Sequence, residues 1–87
     1  MIDPKSDPVA WSSFMYELSD AHEHLGSLIA ELEGGDCDEV DLRVCLGHIY
    51  AHLNRAWYRR DVKWPDVLDG ARRELASAFP TDIEPVG

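Results

Sequence analysis

Only two cysteines occur in the 87 residues, Cys37 and Cys45, and no apolar run approaches the roughly 20 residues needed to cross a bilayer. Two thiols are too few for a disulfide framework. Their separation matches neither a thioredoxin-like pair nor a zinc-like spacing, so both read as free thiols of a cytoplasmic protein. Met1-Ile2-Asp3-Pro4-Lys5 has neither the basic nor the apolar region of a secretory signal. Basic residues are scarce too: eight Lys and Arg stand against 17 acids, for a formal net charge of −9. That balance argues against duplex nucleic acid and against anionic lipid, both of which need a positive footprint. A glycine-rich phosphate cradle, a serine at a nucleophile elbow and β-type alternation are all missing as well. No catalytic signature is left, which disfavours an enzyme without deciding against one that uses a bound metal.

What is present is helical periodicity. Apolar residues make up 45% and charged residues 29%, an ordinary globular composition for a single small domain. Residues 1–6 read as a flexible arm, and Asp7-Pro8 as an N-cap followed by proline at the first helical position. Trp11, Phe14, Met15, Leu18, Ala21, Leu25, Leu28, Ile29 and Leu32 alternate by three and four, predicting a helix over about 8–33. At 1.5 Å per residue that rod is about 38 Å long, against a radius of gyration of about 13 Å for a compact chain of this size. The fold is therefore expected to be elongated. Gly34-Gly35 supplies the left-handed stop. Either Asp36 with Glu39 or Asp38 with Asp41 can open a second helix, about 38–60, by a capping box.

The second helix carries a core stripe of Leu42, Cys45, Leu46, Ile49, Leu53, Ala56 and Trp57. A weaker stripe of Val44, Ala51 and Tyr58 lies beside it, so this helix has two faces to cover and is expected to be central or to form a subunit interface. Trp64-Pro65 breaks the pattern. A third helix over about 65–79 is expected to bury Leu68, Ala71, Leu75, Ala78 and Phe79, with residues 81–87 an irregular tail. The fold class is all-α: an elongated three-helix bundle built on an antiparallel hairpin, with residues 7–80 as its single domain.

Two clusters carry chemistry. His48 and His52 are four apart and share a helical face, the geometry by which two imidazoles chelate one metal. His22 lies about twelve residues from the 34–37 turn and His48 about eleven, so an antiparallel hairpin sets them at similar depth. His22, His48 and His52, with Glu23 or His24 in reserve, are the candidate ligands for zinc, nickel or iron. His24 itself falls with Glu17 and Asp20 on the expected outer face of the first helix. A diiron centre is excluded, because no Glu-x-x-His pair is present. The acids from Glu31 to Asp41 fail as an EF-hand, whose sixth position would be Asp41 and whose twelfth Gly47.

In Asn54-Arg55-Ala56-Trp57-Tyr58-Arg59-Arg60, bases alternate with aromatics. Pairing of these bases with the acidic first helix is favoured over a small anion, an acidic protein or single-stranded nucleic acid. Cys45, three residues before His48, reads as a buried thiol rather than one half of a catalytic pair. The leading expectation is a noncatalytic interaction or scaffold protein, acting as a homodimer through Val44, Ala51, Tyr58, Arg55 and Arg59, with a basic protein as another candidate partner. The alternative is a small metal-binding protein, or a metal-dependent enzyme, using the histidine cluster.

Overall fold

The structure, a computed structural model, describes residues 1–64, 68 and 70–87. It contains α1 (Pro8–Glu33), α2 (Glu39–Arg59) and α3 (Gly70–Ser77), and no strand among the described residues. Helices α1 and α2 form the hairpin, and α3 packs on α2, which makes α2 the central helix. The molecule measures 45 × 31 × 25 Å with a radius of gyration of 14.6 Å, an elongated bundle as the rod length of α1 requires. No helix is long and apolar enough to cross a membrane, among the described residues.

Local chemistry accounts for the hairpin. Gly35 adopts φ +74°, the left-handed conformation that a side chain disfavours. The Asp36 amide then donates to the Glu31 carbonyl at 3.0 Å, and the Gly35 amide to Leu32 at 3.2 Å. These two bonds are a Schellman closure, which satisfies carbonyls that the end of α1 would otherwise strand. Of the two possible capping boxes, Asp38 with Asp41 forms: the Asp41 amide donates to Asp38 Oδ1 at 2.8 Å, and the Asp38 amide to Asp41 Oδ2 at 3.2 Å. At the other end of α1, Pro8 opens the helix as expected. The Asp7 carboxylate caps no helical amide, however; it accepts from the Asp3 amide at 3.2 Å.

Two small apolar clusters hold the bundle. One joins Ile2, Ala10, Phe14 and Ala56, with Trp11 and Leu18 packed against it. The other joins Ala21, Leu28 and Ile49, with Cys37, Leu42, Cys45 and Leu46 alongside. Residues 1–6 therefore fold back instead of projecting as an arm. Ile2 is buried, its amide donates to the Arg60 carbonyl at 2.7 Å, and the Met1 ammonium lies 3.1 Å from Asp61.

The seam of α1 differs from the apolar stripe. Met15, Leu25, Ile29 and Leu32 are exposed, whereas Glu17 is buried among the interhelical contacts. A two-helix seam covers a narrower arc than this broad stripe occupies, and the polar groups of α2 draw it toward Glu17 and Asp20. On α2, Leu53 is likewise exposed.

The third helix is shorter than its pattern predicts. Its expected start at 65–69 lies outside the described residues except for Leu68. Ala71, Leu75, Ala78 and Phe79 are exposed, and Ala76 is the buried residue instead. Polar clamps set that phase: Asn54 Nδ2 donates to the Ser77 carbonyl at 2.7 Å, and Arg55 Nη1 to Ser77 Oγ at 2.8 Å. The tail beyond Pro80 is irregular, and Asp82 accepts from Trp57 Nε1 at 2.9 Å.

Candidate metal centre

In an antiparallel hairpin, residues equidistant from the turn stand level. Asp20 with His52, His24 with His48, and Glu17 with Arg55 are each placed symmetrically about Asp36 in that turn. Asp20 and His24 are four apart on α1, and His48 and His52 four apart on α2, so each pair projects from one face of its helix. Docking brings the two pairs together, and one donor atom from each of the four lies within 4.8 Å of all the others.

Their contacts run in a ring. His52 Nε2 lies 2.6 Å from Asp20 Oδ2, which lies 3.3 Å from His24 Nε2. His24 Nε2 is 3.1 Å from His48 Nε2, which is 3.1 Å from His52 Nε2. A tetrahedral zinc shell with bonds of about 2.0–2.1 Å has donor–donor edges of about 3.3 Å. Three of the ring's edges lie within a few tenths of an ångström of that length, and the His52–Asp20 edge, at 2.6 Å, would have to widen to admit the ion.

Behind the ring stands a second carboxylate. Glu17, 6% exposed, places Oε2 2.6 Å from His52 Nδ1 and accepts from Arg55 Nε through Oε1 at 3.1 Å. Arg55 Nη2 also lies 3.1 Å from His52 Nδ1, but that nitrogen has a single role, and the shorter contact makes it a donor to Glu17. In a neutral His52 this leaves the Nε2 lone pair facing the Asp20 carboxylate. A separation of 2.6 Å is that of a charge-assisted hydrogen bond, so in the metal-free site a proton is shared between His52 Nε2 and Asp20. A carboxylate fixing the far nitrogen of a histidine is the arrangement that orients metal-ligating imidazoles.

Charge at the ring favours free lone pairs on one member. Partial withdrawal from water pushes the His48 pKa down, and repulsion from His52 and His24 pushes it further, while Asp20 opposes both. Neutral His48 is the form that ligates a metal. The site grades from the buried His52, through the half-buried Asp20 and His24, to the exposed edge of His48.

Of the residues expected from the sequence, His48 and His52 are in the ring and His22 is not. His22 is exposed, two residues and hence about 200° round the helix from His24. Equal depth is no substitute for angular phase. An apolar stripe taken to mark the seam puts Glu17, Asp20 and His24 on the outer face of α1, whereas the structure turns that face toward α2. The signal that finds them is the matched four-residue spacing at mirrored distances from the turn. Glu23 is exposed and outside the ring.

The basic segment is also partly internal. Arg55 is 5% exposed and pairs with Glu17, as expected of bases facing the acidic helix, and so offers little surface to a partner. Arg60 stacks over Trp57 at 3.7 Å and lies 3.6 Å from Asp82. Val44 is exposed, and Tyr58 borders a groove with Leu75 and Ala76, so α3 approaches part of the second stripe of α2. Both cysteines are free. Burial first, and then the nearby acids led by Asp41, push the Cys37 thiol pKa up, which disfavours the reactive thiolate. Cys45 packs in the second apolar cluster.

Comparison with protein-family models, with curated proteins and with solved structures gave no match to this chain.

Proposed function

We propose that the protein binds a divalent transition-metal ion, zinc foremost, through Asp20, His24, His48 and His52. The convergence of these four donors from two helices carries the reading. Three imidazole nitrogens and one carboxylate oxygen suit zinc, nickel or iron and disfavour calcium and magnesium, which prefer all-oxygen shells. Four protein donors fill a tetrahedral shell, the pattern of a metal that holds structure or reports its own availability. A catalytic zinc keeps a position open for water, so the donor count supports a binding role over a hydrolytic one. The metal would cross-link α1 to α2 in a chain whose apolar clusters are small.

The test is metal analysis of protein purified without an immobilised-metal column, followed by zinc titration against a competing chelator. About one equivalent of metal per chain is expected, lost on combined His48→Ala and His52→Ala replacement. Sub-stoichiometric metal with zinc affinity no better than that double variant would refute the reading.

Self-association is a second reading, supported by one observation. Leu25, Ile29 and Leu32 are 43–48% exposed along one strip of α1, and Leu53 is 42% exposed on α2. Leu25 is turned about 100° from His24, so the strip flanks the site instead of covering it. Surplus apolar surface is therefore not confined to Val44, Ala51 and Tyr58 of α2. A second copy burying this strip would give a homodimer with both metal centres left accessible.

A further inference from the structure

We propose that the cavity next to the metal centre binds the phosphate group of a small organic phosphate, and that this site works without the metal. The cavity has a volume of about 430 Å³, within the range of about 300–1,000 Å³ typical of small-molecule sites. It lies between the N-terminal half of α1 and the C-terminal half of α2, with Arg73 of α3 at its border.

Its wall is cationic in a chain that is strongly acidic. Among the described residues Arg55, Arg59 and Arg73 line it, with Glu17 as the carboxylate. That carboxylate is already engaged: one oxygen accepts from Arg55 Nε at 3.1 Å, and the other lies 2.6 Å from His52 Nδ1. Arg59 Nε reaches no closer than 3.9 Å to Glu17, and it is buried without a hydrogen-bond partner. Arg73 forms no ion pair among the described residues. Arg59 thus faces the cavity with only a long ion pair to Glu17 and a buried donor that lacks an acceptor, and Arg73 adds a second guanidinium at its exposed rim.

The missing partner is thus an anion rich in acceptors. A phosphate monoester carries a charge of about −1.5 to −2 at neutral pH, which matches two guanidinium groups, whereas a carboxylate answers only one. Guanidinium forks bind phosphate oxygens in pairs, and the hydroxyls of Ser13 and Tyr16 on the same wall offer further donors. A bare phosphate ion would leave most of the volume unfilled, so the ligand is expected to carry an organic body beside the apolar part of the wall.

Titration calorimetry on chelator-stripped and on zinc-loaded protein, using phenyl phosphate, inorganic phosphate and acetate, tests this. Saturable one-to-one binding of phenyl phosphate to both forms is expected, tighter than inorganic phosphate and undisturbed by acetate. Arg73→Met, at an exposed position, and Arg59→Met are each expected to weaken it by at least about tenfold with the helical circular dichroism unchanged. Absence of phosphate binding to the stripped protein overturns the proposal, as does unaltered binding by both variants. Acetate competing on equal terms, or inorganic phosphate binding as tightly, overturns the assigned ligand class. Binding confined to the zinc-loaded form would place phosphate on the metal, refuting this site while leaving the metal centre intact. Phosphate binding in a chain that takes up no zinc would do the reverse.

Discussion

Replacing His48 by alanine is expected to leave the metal-free protein nearly as stable as wild type while removing most of the stabilisation that zinc confers. His48 is the exposed member of the ring, so its loss opens no cavity in the core, and a change at such a position typically costs within about 0.5 kcal/mol. A ligand that binds only the folded chain stabilises it by RT ln(1 + [L]/Kd), which is about 2.7 kcal/mol at a free concentration of 100 Kd. In a domain of this size each kcal/mol moves the melting temperature by about 4–8 °C, so zinc is expected to raise it by about 10–20 °C. If losing one of four donors weakens binding about 100-fold, the same zinc concentration equals the new Kd, and the stabilisation falls to about 0.4 kcal/mol. The melting shift then shrinks to about 2–3 °C. His22→Ala, on the far side of α1, is the matched control and is expected to keep the full shift. Differential scanning calorimetry of chelator-stripped protein, with and without zinc, reads both variants. Equal loss of the shift in His22→Ala and His48→Ala, or no shift in wild type, would refute the geometry.

Acid is expected to weaken the fold through His48. Its folded pKa lies below the ordinary value near 6.5, so between the two values the unfolded chain binds more protons, and stability falls as pH drops below about 6.5. Urea midpoints of stripped protein across pH 7.5 to 5 measure this, and a slope unchanged in His48→Gln would exclude His48 as its source. Glu17→Gln is expected to destabilise the chain by about 3–5 kcal/mol, because Arg55, 5% exposed, is left as a buried charge without its counter-ion. Urea unfolding checks it, and a cost under about 1 kcal/mol would mean the pair is far better solvated than its burial indicates. Ile29→Glu places a charge in the exposed strip of α1 and is expected to convert a dimer to a monomer in light scattering without altering zinc content; a wild-type monomer at high concentration would dispose of the self-association reading.

Most of the architecture is legible without coordinates because it rests on local chemistry. Pro8 at the first helical position, Gly35 where the chain turns left-handed, and Asp38 reaching the amide of Asp41 act over a few residues. The paired histidines of α2 are legible for the same reason, since a four-residue spacing places both on one face whatever the rest of the chain does. The partners of that pair are not fixed by local spacing. Choosing between His22 and His24 requires the rotation of α1 about its own axis, and the broad apolar stripe from Trp11 to Leu32 is compatible with several rotations.

By itself the sequence determined that the chain is helical, where α1 begins and ends, that α2 opens just after the Gly34-Gly35 turn, and that two histidines share one face of the second helix. Only the tertiary structure decided which face of α1 meets that pair. The apolar residues of α1 outnumber what a two-helix seam can cover, so hydrophobic burial alone leaves the phase open. Glu17 and Asp20 are expensive to bury unless Arg55 and His52 answer them, and those answers exist only once α2 has docked. The seam therefore turned toward the carboxylates, exposed Leu25, Ile29 and Leu32, and brought His24 rather than His22 to the ring with Asp20, His48 and His52.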